Sequence, residues 1–80
     1  LARYTHNFVE EYHGLLGFGL DGETDRKTVW AYLQMFSDDR LMETLLGRIS
    51  EEDLAELFQL ITKLLRKYLT EPEYHSLFLK

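Results

Sequence analysis

Cysteine is absent from these 80 residues, and proline occurs once, at Pro72. Without thiols there is no disulfide framework and no thiolate zinc site, so a domain this small must draw its stability from helix packing or from association. The same absence favours, weakly, a reducing compartment, and a cytoplasmic protein is expected. No run of about 18 apolar residues occurs, and no basic stretch followed by an apolar one opens the sequence, so neither membrane spanning nor secretion is expected. Basic residues are the scarcer charge, 9 Lys and Arg against 14 Asp and Glu, for a net charge of -5. Nucleic-acid affinity rests on Lys and Arg releasing counterions from phosphates, so no nucleic-acid partner is expected.

What the sequence has in strength is one amphipathic helix. Ser50 followed by Glu51, Glu52 and Asp53 is a helix start, and apolar residues then recur at helical spacing as far as Leu69. At about 100° per residue, Leu54, Leu57, Phe58, Leu60, Ile61, Leu64, Leu65, Tyr68 and Leu69 share one side. Glu52, Glu56, Gln59, Lys63, Arg66 and Lys67 share the other. A helix lying on one neighbour needs an apolar stripe of about 100°, and this arc is near 180°, which calls for burial from two or more sides. The acids at its start and the Lys63, Arg66, Lys67 cluster in its last turns match the polarity of the helix dipole.

The rest reads as shorter helices. Phe8, Tyr12 and Leu15, with Tyr4 and Leu16, predict a first helix from about Thr5 to Leu16, weakened by Gly14 and closed by Gly17. Residues 17 to 25 hold three of the five glycines and read as a loop. Thr24 or Asp25 can cap a second helix, Arg26 to Phe36, since a lone strand there would have no pairing partner. Ser37 is the expected cap of a third helix carrying Leu41, Met42, Leu45 and Leu46, which Gly47 ends in a left-handed conformation. Pro72 stops or kinks the fourth helix, and the apolar tail with Tyr74, Leu77, Phe78 and Leu79 is expected to dock on its own core or on a neighbour. The expectation is an all-α protein: a single helical domain over 1–80, built as a compact bundle of four helices with a docked C-terminal segment.

Three constellations could carry chemistry. His6, Glu10 and His13 would share a helical face and could bind a divalent metal; Glu10-x-x-His13 also matches the ligand pair of di-metal bundles. Against it, these positions lie opposite Phe8, Tyr12 and Leu15, and a start at Asn7 would leave His6 outside the helix. Gly17-Phe18-Gly19-Leu20-Asp21-Gly22 spells Gly-x-Gly-x-x-Gly, but a nucleotide loop needs a strand before it, and a turn is the expected use. Asp21, Glu23 and Asp25 alternate like calcium-loop ligands, but Arg26 stands where a glycine is needed and Tyr32 where a glutamate should close the shell. No catalytic residue is assigned, because Ser37 and Ser50 are accounted for as caps and no activating base is legible. Trp30, Tyr32, Phe36, Phe58 and Tyr68 are expected to fill a core, or else to line a pocket or partner groove.

The segment from Leu41 through Gly47, Ser50 and Leu54, continued by the leucine-rich helix to Leu69, resembles the closing helices of MarR-type regulators, whose C-terminal helices make the dimer. Residues 1 to 40 show no winged-helix DNA reader. The resemblance therefore implies only that such a helix can serve subunit contact. The leading expectation is a non-enzymatic protein association module, homodimeric or receiving a helical protein partner through Leu57, Leu60, Ile61, Leu64, Tyr68 and Phe78, with no cofactor. One alternative is a small metal-binding protein or enzyme using His6, Glu10 and His13. Another is the oligomerisation part of a larger regulator, which an opening Leu1 in place of methionine would allow.

Overall fold

Capping residues, more than hydrophobic periodicity, decide where the helices of this protein begin and end. The computed structural model describes residues 6–80. Tyr4 and Thr5, assigned above to the first helix, lie outside the described residues. The chain is all-α: among the described residues there are five α-helical segments, a closing π-helical turn and no strand. Contacts divide it into two units, Leu1–Gly47 and Arg48–Lys80.

In the first unit, α1 (Asn7–Glu11) is much shorter than its apolar spacing predicts, with His6 at the N-cap position and Tyr12 turning to extended backbone at its end. Gly14, Gly17 and Gly19 follow within nine residues, and each glycine costs a helix about 1 kcal/mol relative to alanine. Tyr12 also bends over this segment, its hydroxyl donating to the Leu15 carbonyl at 2.9 Å. A Cβ on Gly14 would collide with the Tyr12 ring.

The second helix, α2 (Gly22–Phe36), starts four residues before the expected Arg26 because Asp21, rather than Thr24 or Asp25, is its cap. The Asp21 carboxylate accepts from the Thr24 amide at 2.8 Å and from the Thr24 hydroxyl at 2.9 Å. These two bonds hold its pKa below the ordinary carboxylate value. Lys27 forms an ion pair with Glu23 one turn away at 3.1 Å, and that bond raises the pKa of the ammonium.

Bonds from α2 tie down the connecting loop and α1. Thr28, 4% exposed, accepts from the Gly17 amide at 3.0 Å and donates to the Gly17 carbonyl at 3.2 Å. Asp25 accepts from the amides of Gly19 and Leu20 at 2.8 and 3.4 Å. Gly19 has φ +93, a left-handed conformation that side chains rarely adopt. Gln34 accepts from the Val9 amide at 2.9 Å, filling one open donor of the first turn of α1. Phe8 stacks on Trp30 with ring centroids 3.9 Å apart and planes 1° from parallel, and Tyr12 stacks on Phe8 at 5.2 Å. Ala31, 1% exposed, is the most buried side chain of the described residues.

Thr28→Val tests the bond to Gly17 directly, because it keeps the shape and removes the hydroxyl. It leaves the Gly17 amide and carbonyl without their partner, a cost of about 1 to 3 kcal/mol. Thermal melting should shift down accordingly, and exchange of the Gly17 amide should accelerate; an unchanged exchange rate would show that water replaces the hydroxyl at no cost.

The third helix, α3 (Asp39–Leu46), is capped by Asp38, which accepts from the Arg40 and Leu41 amides at 3.2 and 3.3 Å. Ser37, the expected cap, instead ends α2, donating its hydroxyl to the Gln34 carbonyl at 3.0 Å. Gly47 closes α3 in right-handed backbone, φ -73, and not in the left-handed conformation expected of it.

In the second unit, α4 (Glu51–Tyr68) begins as the sequence predicts, with the Ser50 hydroxyl accepting from the Asp53 amide at 3.1 Å. It ends before Pro72 is reached. Thr70 starts a new three-residue segment, α5 (Glu71–Glu73), in which Pro72 takes an early position that needs no donor. The Thr70 hydroxyl accepts from the Glu73 amide at 3.3 Å, while the Glu73 carboxylate accepts from the Thr70 amide at 2.8 Å and from its hydroxyl at 3.0 Å. This reciprocal box lowers the Glu73 pKa, the Thr70 amide contributing most. The chain then closes in a π-helical turn, Tyr74–Leu79, with the Lys80 amide donating to the His75 carbonyl five residues back at 2.8 Å.

Candidate interaction surface

The second unit carries a continuous apolar feature, the face of α4. In projection, Leu54, Leu57, Ile61, Leu64 and Tyr68 repeat at offsets of three and four, forming a seam along the whole helix. Leu60 flanks this seam on one side, Phe58 and Leu65 on the other. Thr62 does not interrupt it: its hydroxyl donates back to the Phe58 carbonyl at 2.9 Å and the Gln59 carbonyl at 3.1 Å.

The tail meets only one edge of this arc. Thr62, Leu65, Arg66 and Leu69 from α4, with Thr70, Glu71 and Tyr74, line a recess of about 490 Å³. Tyr74 is half-buried and stacks on Phe78 at 5.4 Å. The docking expected of the tail extends no further than this, because Leu77, Phe78 and Leu79 are exposed. On the seam itself, Leu60, Ile61 and Leu64 keep 51, 43 and 44% of their surface exposed, and Phe58 and Tyr68 keep 67 and 68%. Of the six residues read as a partner interface, Leu57 alone is half-buried; Leu60, Ile61, Leu64, Tyr68 and Phe78 are open.

Charge on α4 is segregated. Glu51, Glu52, Asp53 and Glu56 occupy its first half, and Lys63, Arg66 and Lys67 its second. Among the described residues none of these seven side chains enters an ion pair. Lys67 extends over the Tyr68 ring, with its ammonium 5.4 Å from the centroid, so one cation stands at the rim of the apolar seam.

The aromatic residues expected in a core are mostly on the surface. Trp30, Tyr32, Phe58 and Tyr68 are more than half exposed, and Phe36 is half-buried. Trp30 is engaged through the Phe8 stack, which was not legible because the two rings are 22 positions apart in sequence.

The structure does not bring His6, Glu10 and His13 onto one helical face. The helical register that would align them ends at Glu11, one residue short of Tyr12 and two short of His13. His6 stands outside the helix, and its Nε2 is hydrogen-bonded to the Ser37 hydroxyl at 2.9 Å. Among the described residues no cluster of three or more His, Cys, Asp or Glu side chains is arranged to hold a metal ion.

The glycine loop is likewise committed to its own helix. The amides of Gly17, Gly19 and Leu20, the groups that would face a phosphate, donate to Thr28 and Asp25, and a carboxylate occupies the anion's place. The alternating acids have separate tasks: Asp21 caps α2, Glu23 pairs with Lys27 and Asp25 holds the loop.

Sequence reasoning missed the Thr70–Glu73 box and the recess beside it. Thr70-x-x-Glu73 followed by apolar residues is a readable helix-start pattern, but Pro72 within it is equally a signal that a helix stops. No helix among the described residues is long and apolar enough to cross a membrane. No family model matches the chain, and neither a curated protein nor a solved structure is significantly similar to it.

Proposed function

We propose that this chain is a non-enzymatic association module that forms a homodimer through the apolar face of α4. The observation that carries the reading is the open seam Ile61, Leu64 and Tyr68 with Leu60 beside it, in a helix whose own tail meets only the opposite edge. Burying one large aliphatic side chain contributes about 1.5 to 3 kcal/mol, so covering three or four of them is worth as much as the net stability of a small domain.

Light scattering at micromolar concentration should give about twice the 9.5 kDa chain mass, and the melting temperature should rise with protein concentration. A species of single-chain mass with a concentration-independent melting temperature would refute the proposal.

A further inference from the structure

Resting on that reading, we infer that the occupant of the α4 face is α4 of a second copy, running antiparallel, with the two-fold axis passing beside Leu60. The seam by itself does not choose between parallel and antiparallel pairing. Two charges do.

Most charged residues of α4 have no part in that choice, because Glu52, Glu56, Lys63 and Arg66 project away from the seam. Asp53 near the start of the helix and Lys67 near its end stand at the Leu60 flank, and neither has an ion-pair partner among the described residues. A parallel copy would set Asp53 level with Asp53 and Lys67 level with Lys67. An antiparallel copy sets Asp53 level with Lys67 of the second copy and also opposes the two helix dipoles.

The geometry of the rim sharpens this. At about 100° per residue, Asp53, Leu60 and Lys67 fall on one flank of the seam, seven residues apart. In an antiparallel two-fold pair each flank meets its own counterpart. With the axis at Leu60, Leu60 meets Leu60 of the second copy, and Asp53 stands beside Lys67 of the second copy, twice per dimer. The Lys67 ammonium is already at that rim, over the Tyr68 ring.

Because the chain has no cysteine, single-cysteine variants test the orientation cleanly. Asp53 and Lys67 are about 21 Å apart along the helix axis at 1.5 Å per residue. A disulfide needs Cα atoms within about 7 Å of each other. Under mild oxidation L60C alone should cross-link, D53C alone and K67C alone should not, and an equimolar mixture of D53C and K67C, mixed before dimers re-form, should cross-link at least tenfold faster than either. Rapid cross-linking of D53C with itself, in a protein whose mass is that of a dimer, overturns the antiparallel arrangement and leaves association through α4 standing. A dimeric mass with no cross-linking from any of the variants removes α4 from the interface. A monomeric mass refutes the association itself.

Discussion

Ile61→Glu is expected to convert the proposed dimer into monomers at micromolar concentration. Ile61 lies in the middle of the α4 seam, 43% exposed in the single chain, between Leu57 and Leu64 on the same face. In a two-fold assembly one substitution strikes twice. Each copy loses the burial of an aliphatic side chain, about 2 kcal/mol, before any cost of holding a carboxylate in an apolar contact is counted. Two such losses, about 4 kcal/mol, weaken association by about 10³-fold, enough to move a micromolar dimer into the millimolar range. Sedimentation or light scattering reads this directly. Gln59→Glu, on the opposite side of the same helix, adds the same charge and should leave the mass unchanged. If Ile61→Glu stays dimeric, α4 is not the contact surface; if Gln59→Glu also dissociates, charge alone and not the apolar face governs assembly.

Phe8→Ala should release α1 from α2. Five residues are far too few to sustain a helix alone, since isolated helices are marginal below about 12 to 15 residues, so α1 persists through its contacts with α2. The largest is the Phe8 ring lying flat on Trp30 at 3.9 Å, and the Tyr12 ring extends the stack. Truncating a half-buried phenylalanine removes about 2 kcal/mol of packing, and the Gln34 bond to the Val9 amide goes with the helix it caps. Trp30 is the sole tryptophan, so its fluorescence reports the event without ambiguity. Emission should shift to the red and exchange of the Val9 and Tyr12 amides should accelerate. Unchanged emission would mean that the stack does not hold α1 in place.

The two expected results differ in how far the sequence announced them. The seam of α4 was legible in full, because its start, its period and its charges are all local signals that act within four residues along the chain. Ser50 is its cap in both sequence and structure, and Ile61 and Leu64 sit on the face their spacing predicts. The Phe8–Trp30 stack was hidden, because nothing in either segment states which rings meet. The first helix shows the same limit from another side. Its apolar spacing runs on to Leu16, but the glycines after Tyr12 make extended backbone cheaper, and Tyr12 then finds a bond to the Leu15 carbonyl.

The geometry of the candidate ligand residues was hidden for a related reason. His6, Glu10 and His13 share a face only if one helix carries all three, and the helix stops at Glu11. Thr24 and Asp25 were the expected caps of α2, and Asp21 is the cap observed. Asp25 turns back to the Gly19 and Leu20 amides while Asp21 accepts from Thr24, a division of tasks that follows the path of the loop.

The sequence by itself determined that this protein is helical and that its longest helix carries a wide apolar arc, since both follow from short-range geometry and composition. Tertiary structure alone decided where α1 ends, which acid caps α2, and which rings and hydroxyls tie residues 6 to 20 to α2. The ties to α2 rest on hydrogen bonds and a ring stack between positions 11 to 31 residues apart, and the end of α1 and the cap of α2 on the path of the loop between them, where one closing geometry rather than another chooses among partners that local propensity ranks as equals.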